Sequence, residues 1–190
     1  MKDYKAESSR YFDALAPRYD QHYYGRHGRE QYQRVVDASR GWAFGSVLDV
    51  GCGSGGLLAL LNRPGVGLLA GVDISPNMIE EAKRRLGTGA DLKVGDSEKL
   101  PWEATSFDLV VSTDSLHHWP NPVQAFSGLL GGGDREDAER CWVRRKQAGT
   151  RQFHVGGCER KSSRVRNHKF AFVFGGWLHD AAFDQSFAAR

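Results

Sequence analysis

The chain has 190 residues, length for one domain with its own core, and 40% hydrophobic against 26% charged residues is an ordinary globular balance. No apolar run reaches the ~20 residues a membrane-crossing helix needs, and Met1–Glu7 lacks the apolar stretch of a secretory leader. Three cysteines (Cys52, Cys141, Cys158) form no C-x-x-C pair, which argues against a disulfide framework and for a reducing cytoplasm, and the +3 net charge is uneven: residues 1–129 carry 14 basic and 16 acidic side chains, residues 130–190 carry 12 and 7.

Residues 1–44 are polar and aromatic, and read as a helical cap. Ser8-Ser9 can start a helix through Tyr11, Phe12 and Leu15, which Pro17 interrupts. A second helix is expected over about 28–39, with Tyr32, Val35 and Val36 on one face. From about 45 to 126 strands alternate with helices. Ser46–Val50 is a short apolar run ending in glycines, a buried strand, and a helix follows from Gly55 to Leu61. Gly67–Asp73 is the second strand. Ser75-Pro76 then supplies an N-cap and a proline at the first helical position, and Gly87 stops that helix. Asp91–Val94 and Phe107–Ser112 complete four strands. Buried strands separated by helices predict an α/β fold: a Rossmann-like parallel sheet, order 3-2-1-4 and onward, with helices on both faces. Residues 127–190 break this pattern. Gly131-Gly132-Gly133 leads into Arg-rich sequence with little periodicity, expected to be the least ordered part, and one strand candidate stands at Phe170–Phe174.

The densest chemical signal is Asp49-Val50-Gly51-Cys52-Gly53-Ser54-Gly55-Gly56, where a parallel strand ends and a helix begins. Glycines there tolerate a tight turn and let a ligand approach the backbone, and the helix start offers unpaired N–H groups. Gly51, Gly53 and Gly56 also satisfy G-x-G-x-x-G, so a dinucleotide site is the competing reading. Asp73 follows Gly51 by 22 residues and ends the second strand, placed to accept hydrogen bonds from both hydroxyls of an adenosine ribose, with Ile74 beside it for the adenine face. Gly95-Asp96-Ser97 follows the third strand, where Asp96 can accept from an adenine amino group. Ser112–Trp119 follows the fourth strand, at the switch point of the sheet.

Together these residues resemble the class I S-adenosylmethionine-dependent methyltransferases, in the small-molecule "type 11" group related to the ubiquinone/menaquinone methylases. The resemblance covers about residues 9–126. Tyr11-Phe12-Asp13 through Tyr19-Asp20 looks like the family's N-terminal cap, and Asp49, Gly51, Gly53 and Gly55 match its first motif. It implies S-adenosyl-L-methionine as cofactor, Asp73 as the ribose acid, Asp96 as the adenine-side acid, and Cys52, Ile74, Ser97, Ser112 and Tyr19 around the donor. It disfavours the dinucleotide reading, because Asp49 would repel a diphosphate and tolerates a sulfonium cation.

The acceptor implied is a small molecule. His117 and His118 are the candidates for a general base, although an acidic acceptor needs none, and pocket-lining is the favoured role for both. Tyr19, Tyr23 and Tyr24 can close the donor pocket or simply pack. Past residue 127 the family pattern lapses, as either a reading-frame change or divergence would produce. Three further readings are carried: a non-catalytic donor-binding module, a nucleic-acid methylase using Arg144–Lys146 and Arg160–Arg166, and a zinc site from Cys141, His154, Cys158 and His168. The signature of base amino methylases is absent after strand four, where Ser112-Thr113-Asp114-Ser115 stands.

Overall fold

The computed structural model describes residues 3–130 and the strand at 169–173. The order is α1 (Tyr4–Leu15), a 3-10 segment (Ala16–Gln21), α2 (Tyr23–Ser39), β1 (Ser46–Val50), α3 (Gly56–Leu61), β2 (Leu68–Asp73), α4 (Pro76–Leu86), β3 (Ala90–Val94), β4 (Leu109–Thr113), α5 (Pro122–Leu130) and β5 (Lys169–Val173). Short 3-10 turns lie at Gly87–Gly89 and Leu116–His118.

The five strands form one parallel sheet in the order β3-β2-β1-β4-β5. β1 is central, and alternation along it feeds two cores. Val47 packs with Tyr32, Val35, Leu57, Leu58, Leu61 and Ile79 from the helices of one face. Leu48 and Val50 pack with Val72, Val110, Leu116 and Leu129 on the other. Asp49 shares the face of Val47, so the fold carries a carboxylate into its helix-covered side. Asp108 ties the starts of β1 and β4 together by accepting from the backbone N–H groups of Gly45 and Ser46 and the Ser46 hydroxyl. β5 runs parallel beside β4, pairing Leu109 with Lys169 through Thr113 with Val173. The strand expected at 170–174 therefore covers the edge of β4 that the break in pattern threatened to expose.

Two expectations are corrected at the N-terminus. α1 begins at Tyr4, not at Ser8-Ser9: Asp3 is the N-cap and its carboxylate accepts from the Ala6 N–H at 3.1 Å. α2 begins at Tyr23, five residues before the expected start. Pro17 does end the first helix, but the chain tightens into a 3-10 turn there, which needs no N–H from proline. The Arg-rich stretch from 131 to 168, with Arg144–Lys146, Arg160–Arg166, Cys141, His154, Cys158 and His168, lies outside the described residues, so its expected disorder, its phosphate contacts and its zinc site are not addressed by the structure.

Candidate functional site

The carboxyl ends of β1, β2, β3 and β4 open on one cleft of about 720 Å³ of empty space, open solvent included. Of the residues singled out in the sequence, Tyr19, Gly51, Gly53, Asp73, Ile74, Asp96, Ser97 and His118 line it. Five do not line it: Asp49, Cys52, Gly55 and Ser112 are buried, and His117 is exposed outside it. Lys5, Ser8 and Phe12 from α1 line it as well, together with Asp114, Ser115 and Trp119 after β4.

The turn after β1 is held by its own backbone. Gly51, Gly53 and Gly55 all have positive φ, at 78°, 51° and 76°. A Cβ on Gly51 would also sit 2.4 Å from that of Ser115, so only glycine lets the β1 and β4 loops meet there. Gly55 serves packing instead, facing Ala82 and Leu86 of α4. The unpaired N–H groups expected at this turn are largely spoken for. Gly51 and Cys52 donate to the Val72 carbonyl, Gly55 to Cys52, and Gly53 to the Asp73 carboxylate.

Asp73 is thus both a wall residue and a brace. One of its oxygens accepts from Gly53 N–H and the other from Ser75 N–H, each at 2.9 Å. Each oxygen keeps lone-pair capacity toward the cleft. Burial raises its pKa, and the two N–H bonds oppose that rise. Asp96 does not face the cleft as a bare acceptor. Its Oδ2 takes the Lys5 ammonium at 2.6 Å and its Oδ1 the Glu98 N–H at 3.0 Å. Lys5 also reaches Glu98 at 2.7 Å. Ser112 bonds the Ser115 hydroxyl, which donates to the Val50 carbonyl, so it links strand ends rather than lining the cleft. Cys52 is a free, buried thiol whose pKa burial pushes up.

Three carboxylates, Asp73, Asp96 and Asp114, line the cleft. Among the described lining residues Lys5 is the sole Lys or Arg, and it is already ion-paired. Behind the turn, Asp49 is 1% exposed and its Oδ1 has no hydrogen-bond partner within the protein. Burial, and then the charge of Asp73, push its pKa up to about 8. A cation beside Asp49 favours its ionised form and gives the orphaned oxygen a partner, and the three carboxylates lining the cleft disfavour a polyanion. These residues therefore fit a sulfonium donor.

Both candidate histidines are shifted away from the imidazolium form. Burial, then the neighbouring His117, push His118 down to about 4, and burial lowers His117 against the opposing field of Asp114. His118 lies edge-on to Phe12 at 5.2 Å and against His117 at 4.0 Å. Burial pushes the Tyr19 hydroxyl up, with Asp114 and Asp73 adding to the rise, so it stays protonated. Tyr23 and Tyr24 are about half exposed and do not line the cleft.

Comparison with known proteins accords with this geometry. Residues 48–130 match the family model Methyltransf_11, described as a methyltransferase domain. The chain is 34% identical over 145 residues to the aklanonic acid methyltransferase DauC of Streptomyces sp. (strain C5), covering 70% of this chain and 64% of that protein. It is 41% identical over 105 residues to the ubiquinone/menaquinone biosynthesis C-methyltransferase UbiE of Desulfotalea psychrophila (strain LSv54 / DSM 12343), covering 52% and 42%. A chain from the complex between the Haloferax volcanii Trm112 methyltransferase activator and a candidate methyltransferase superposes with a TM-score of 0.53 at 30% identity, over 63% of this chain and 55% of that one. The chain thus spans less than two thirds of the length of either curated relative. With the sheet order and the turn after β1, residues 48–130 match a methyltransferase domain and are similar to ubiquinone/menaquinone-type methylases.

Proposed function

We propose that the protein transfers a methyl group from S-adenosylmethionine to a small-molecule acceptor. The observation that carries this reading is the acid-lined cleft at the strand ends, with Asp49 unpartnered behind it. Residues 45–126 act as the donor-binding core, residues 1–44 as a cap over it, and residues 127–190 as an atypical tail. The donor supplies a methyl group on a sulfonium, an electrophile already activated. The chain's own residues bind, orient and exclude water. Asp73 holds the ribose while bracing the glycine turn. Gly51, Gly53 and Ile74 give close approach, and Asp96 and Ser97 bound the adenine side. Phe12, His118 and Trp119 form the acceptor side, where a neutral His118 shapes the wall and moves no proton. The carboxylates repel a phosphate backbone, which favours a small acceptor over a nucleic acid. Among the described residues no helix is long and apolar enough to cross a membrane. The free Cys52 thiol suits a reducing cytoplasm.

A second reading is a donor-binding module without turnover. It is favoured by the family match ending at residue 130, where the sequence pattern also breaks. A turnover assay over quinol, phenol, amine and fatty-acid acceptors separates the two. Acceptor-dependent release of the demethylated donor supports the transferase. Donor binding with no turnover on any acceptor supports the module.

A further inference from the structure

We infer that Asp20 is a positioning residue for donor binding, acting through Tyr19 and the glycine turn; the inference rests on the donor-binding reading above. Asp20 does not line the cleft, yet the glycine turn, α4 and α2 all converge on it. Its Oδ1 accepts from the Ser54 hydroxyl at 2.8 Å. Ser54 is 3% exposed and sits inside the turn between Gly53 and Gly55, so its hydroxyl needs an acceptor within the protein. The other carboxylate oxygen of Asp20 pairs with Arg85 near the end of α4. The backbone carbonyl of Asp20 accepts from Arg29 of α2 at 2.9 Å.

The residue these contacts immobilise is Tyr19, which lines the cleft directly over the turn. An ideal Cβ on Gly53 would lie 3.9 Å from the Tyr19 ring, the ordinary contact distance. α2 backs the same segment. A Cβ at Gly25 would lie 2.2 Å from the Tyr19 carbonyl oxygen, so glycine is required for α2 to close against it. Asp20 therefore fixes two walls of the cleft relative to each other: the ring of Tyr19 and the turn that carries Gly51 and Gly53. The neighbouring pair has different tasks, with Tyr19 facing the ligand and Asp20 facing the scaffold.

The test is a double-mutant cycle on donor affinity, read by calorimetry with S-adenosylmethionine, with thermal melting of each variant in parallel. Asp20→Ala is expected to weaken donor binding about tenfold, the scale of a lost charge-assisted hydrogen bond. Asp20→Asn, which keeps an acceptor for Ser54, is expected to restore most of that loss. In a Tyr19→Ala background the same Asp20→Ala change is expected to cost less than about twofold, because the residue it positions is gone. Ser54→Ala provides the second route and is expected to weaken binding without removing the Arg85 pair. Additive losses in the cycle, or a fall in melting temperature with donor affinity unchanged, would overturn the inference. Failure of the unsubstituted protein to bind the donor would instead overturn the functional reading on which it rests.

Discussion

Asp73 satisfies two backbone N–H groups, one with each oxygen, and this shapes what its removal does. Asp73→Ala is expected to weaken S-adenosylmethionine binding by about 1.5–3 kcal/mol, the scale of a hydrogen bond to a charged group. It also strands the N–H groups of Gly53 and Ser75, so the denaturant midpoint is expected to fall in the same variant. Unchanged affinity in a folded variant would remove Asp73 from the ribose role. His118 gives the opposite kind of prediction. With its pKa near 4 the imidazole is neutral through the working range. His118→Asn is expected to lower turnover less than about tenfold, with no change in the pH profile between 6 and 8, whereas a base would cost ~10²–10⁴-fold. Gly51, Asp73 and Asp96 were legible as cleft-lining residues because they stand at or just past the ends of strands. Lys5 was not, since its partners lie 91 and 93 residues away and nothing local marks where a polar helix will dock. The same distance hid the fact that Asp96 is ion-paired.

α1 shows how an element becomes part of the site. Its residues reach three strand-end loops: Lys5 bonds Asp96 and Glu98 after β3, Ser9 donates to the Ile74 carbonyl after β2, and Phe12 meets His118 after β4. Asp13 adds a cap in trans. Its Oδ1 accepts from the Ser75 hydroxyl at 2.6 Å and the Asn77 N–H at 3.0 Å, at the start of α4. Asp13→Ala is expected to cost about 1 kcal/mol of stability, like the loss of an N-cap, measured by chemical denaturation. No change would mean that Ser75, which accepts from Met78 N–H, caps α4 unaided. The early strands and α4 were readable because buried runs, Ser75-Pro76 and Gly87 mark their ends locally. The start of α1 was misplaced because Ser8-Ser9 has cap chemistry, while Ser9 spends its hydroxyl on Ile74 and Asp3 caps the helix.

For the whole molecule, two groups with shifted pKa oppose each other across the pH range. His118 has a folded pKa near 4 against an ordinary 6.5, so the unfolded chain takes up a proton first and stability is lost as pH falls from 6.5 toward 4. Asp49 is raised from 3.8 to about 8, so the unfolded chain ionises first and stability is lost as pH rises from about 4 to 8. Asp73, also raised, acts in the direction of Asp49. Between pH 6.5 and 8 only the carboxylate slope remains, and the denaturant midpoint is expected to fall. Asp49→Asn, which removes the charge and keeps the shape, is expected to flatten that fall. An equal slope in both proteins would show that Asp49 ionises freely in the fold. That the first four strands run parallel was legible from alternation, while their order came with the Rossmann-like fold the motifs resemble. That β5 pairs with β4 was legible as a requirement: the open edge of β4 needs a partner, and Phe170–Phe174 was the strand candidate left to supply it.

Whether the acid-lined cleft holds the methyl donor is read out by calorimetric titration of the full chain with S-adenosylmethionine. Saturable one-site binding is expected, retained by the demethylated product and weakened by Asp73→Ala. Absence of binding, or equal affinity in the folded Asp73→Ala variant, would contradict it.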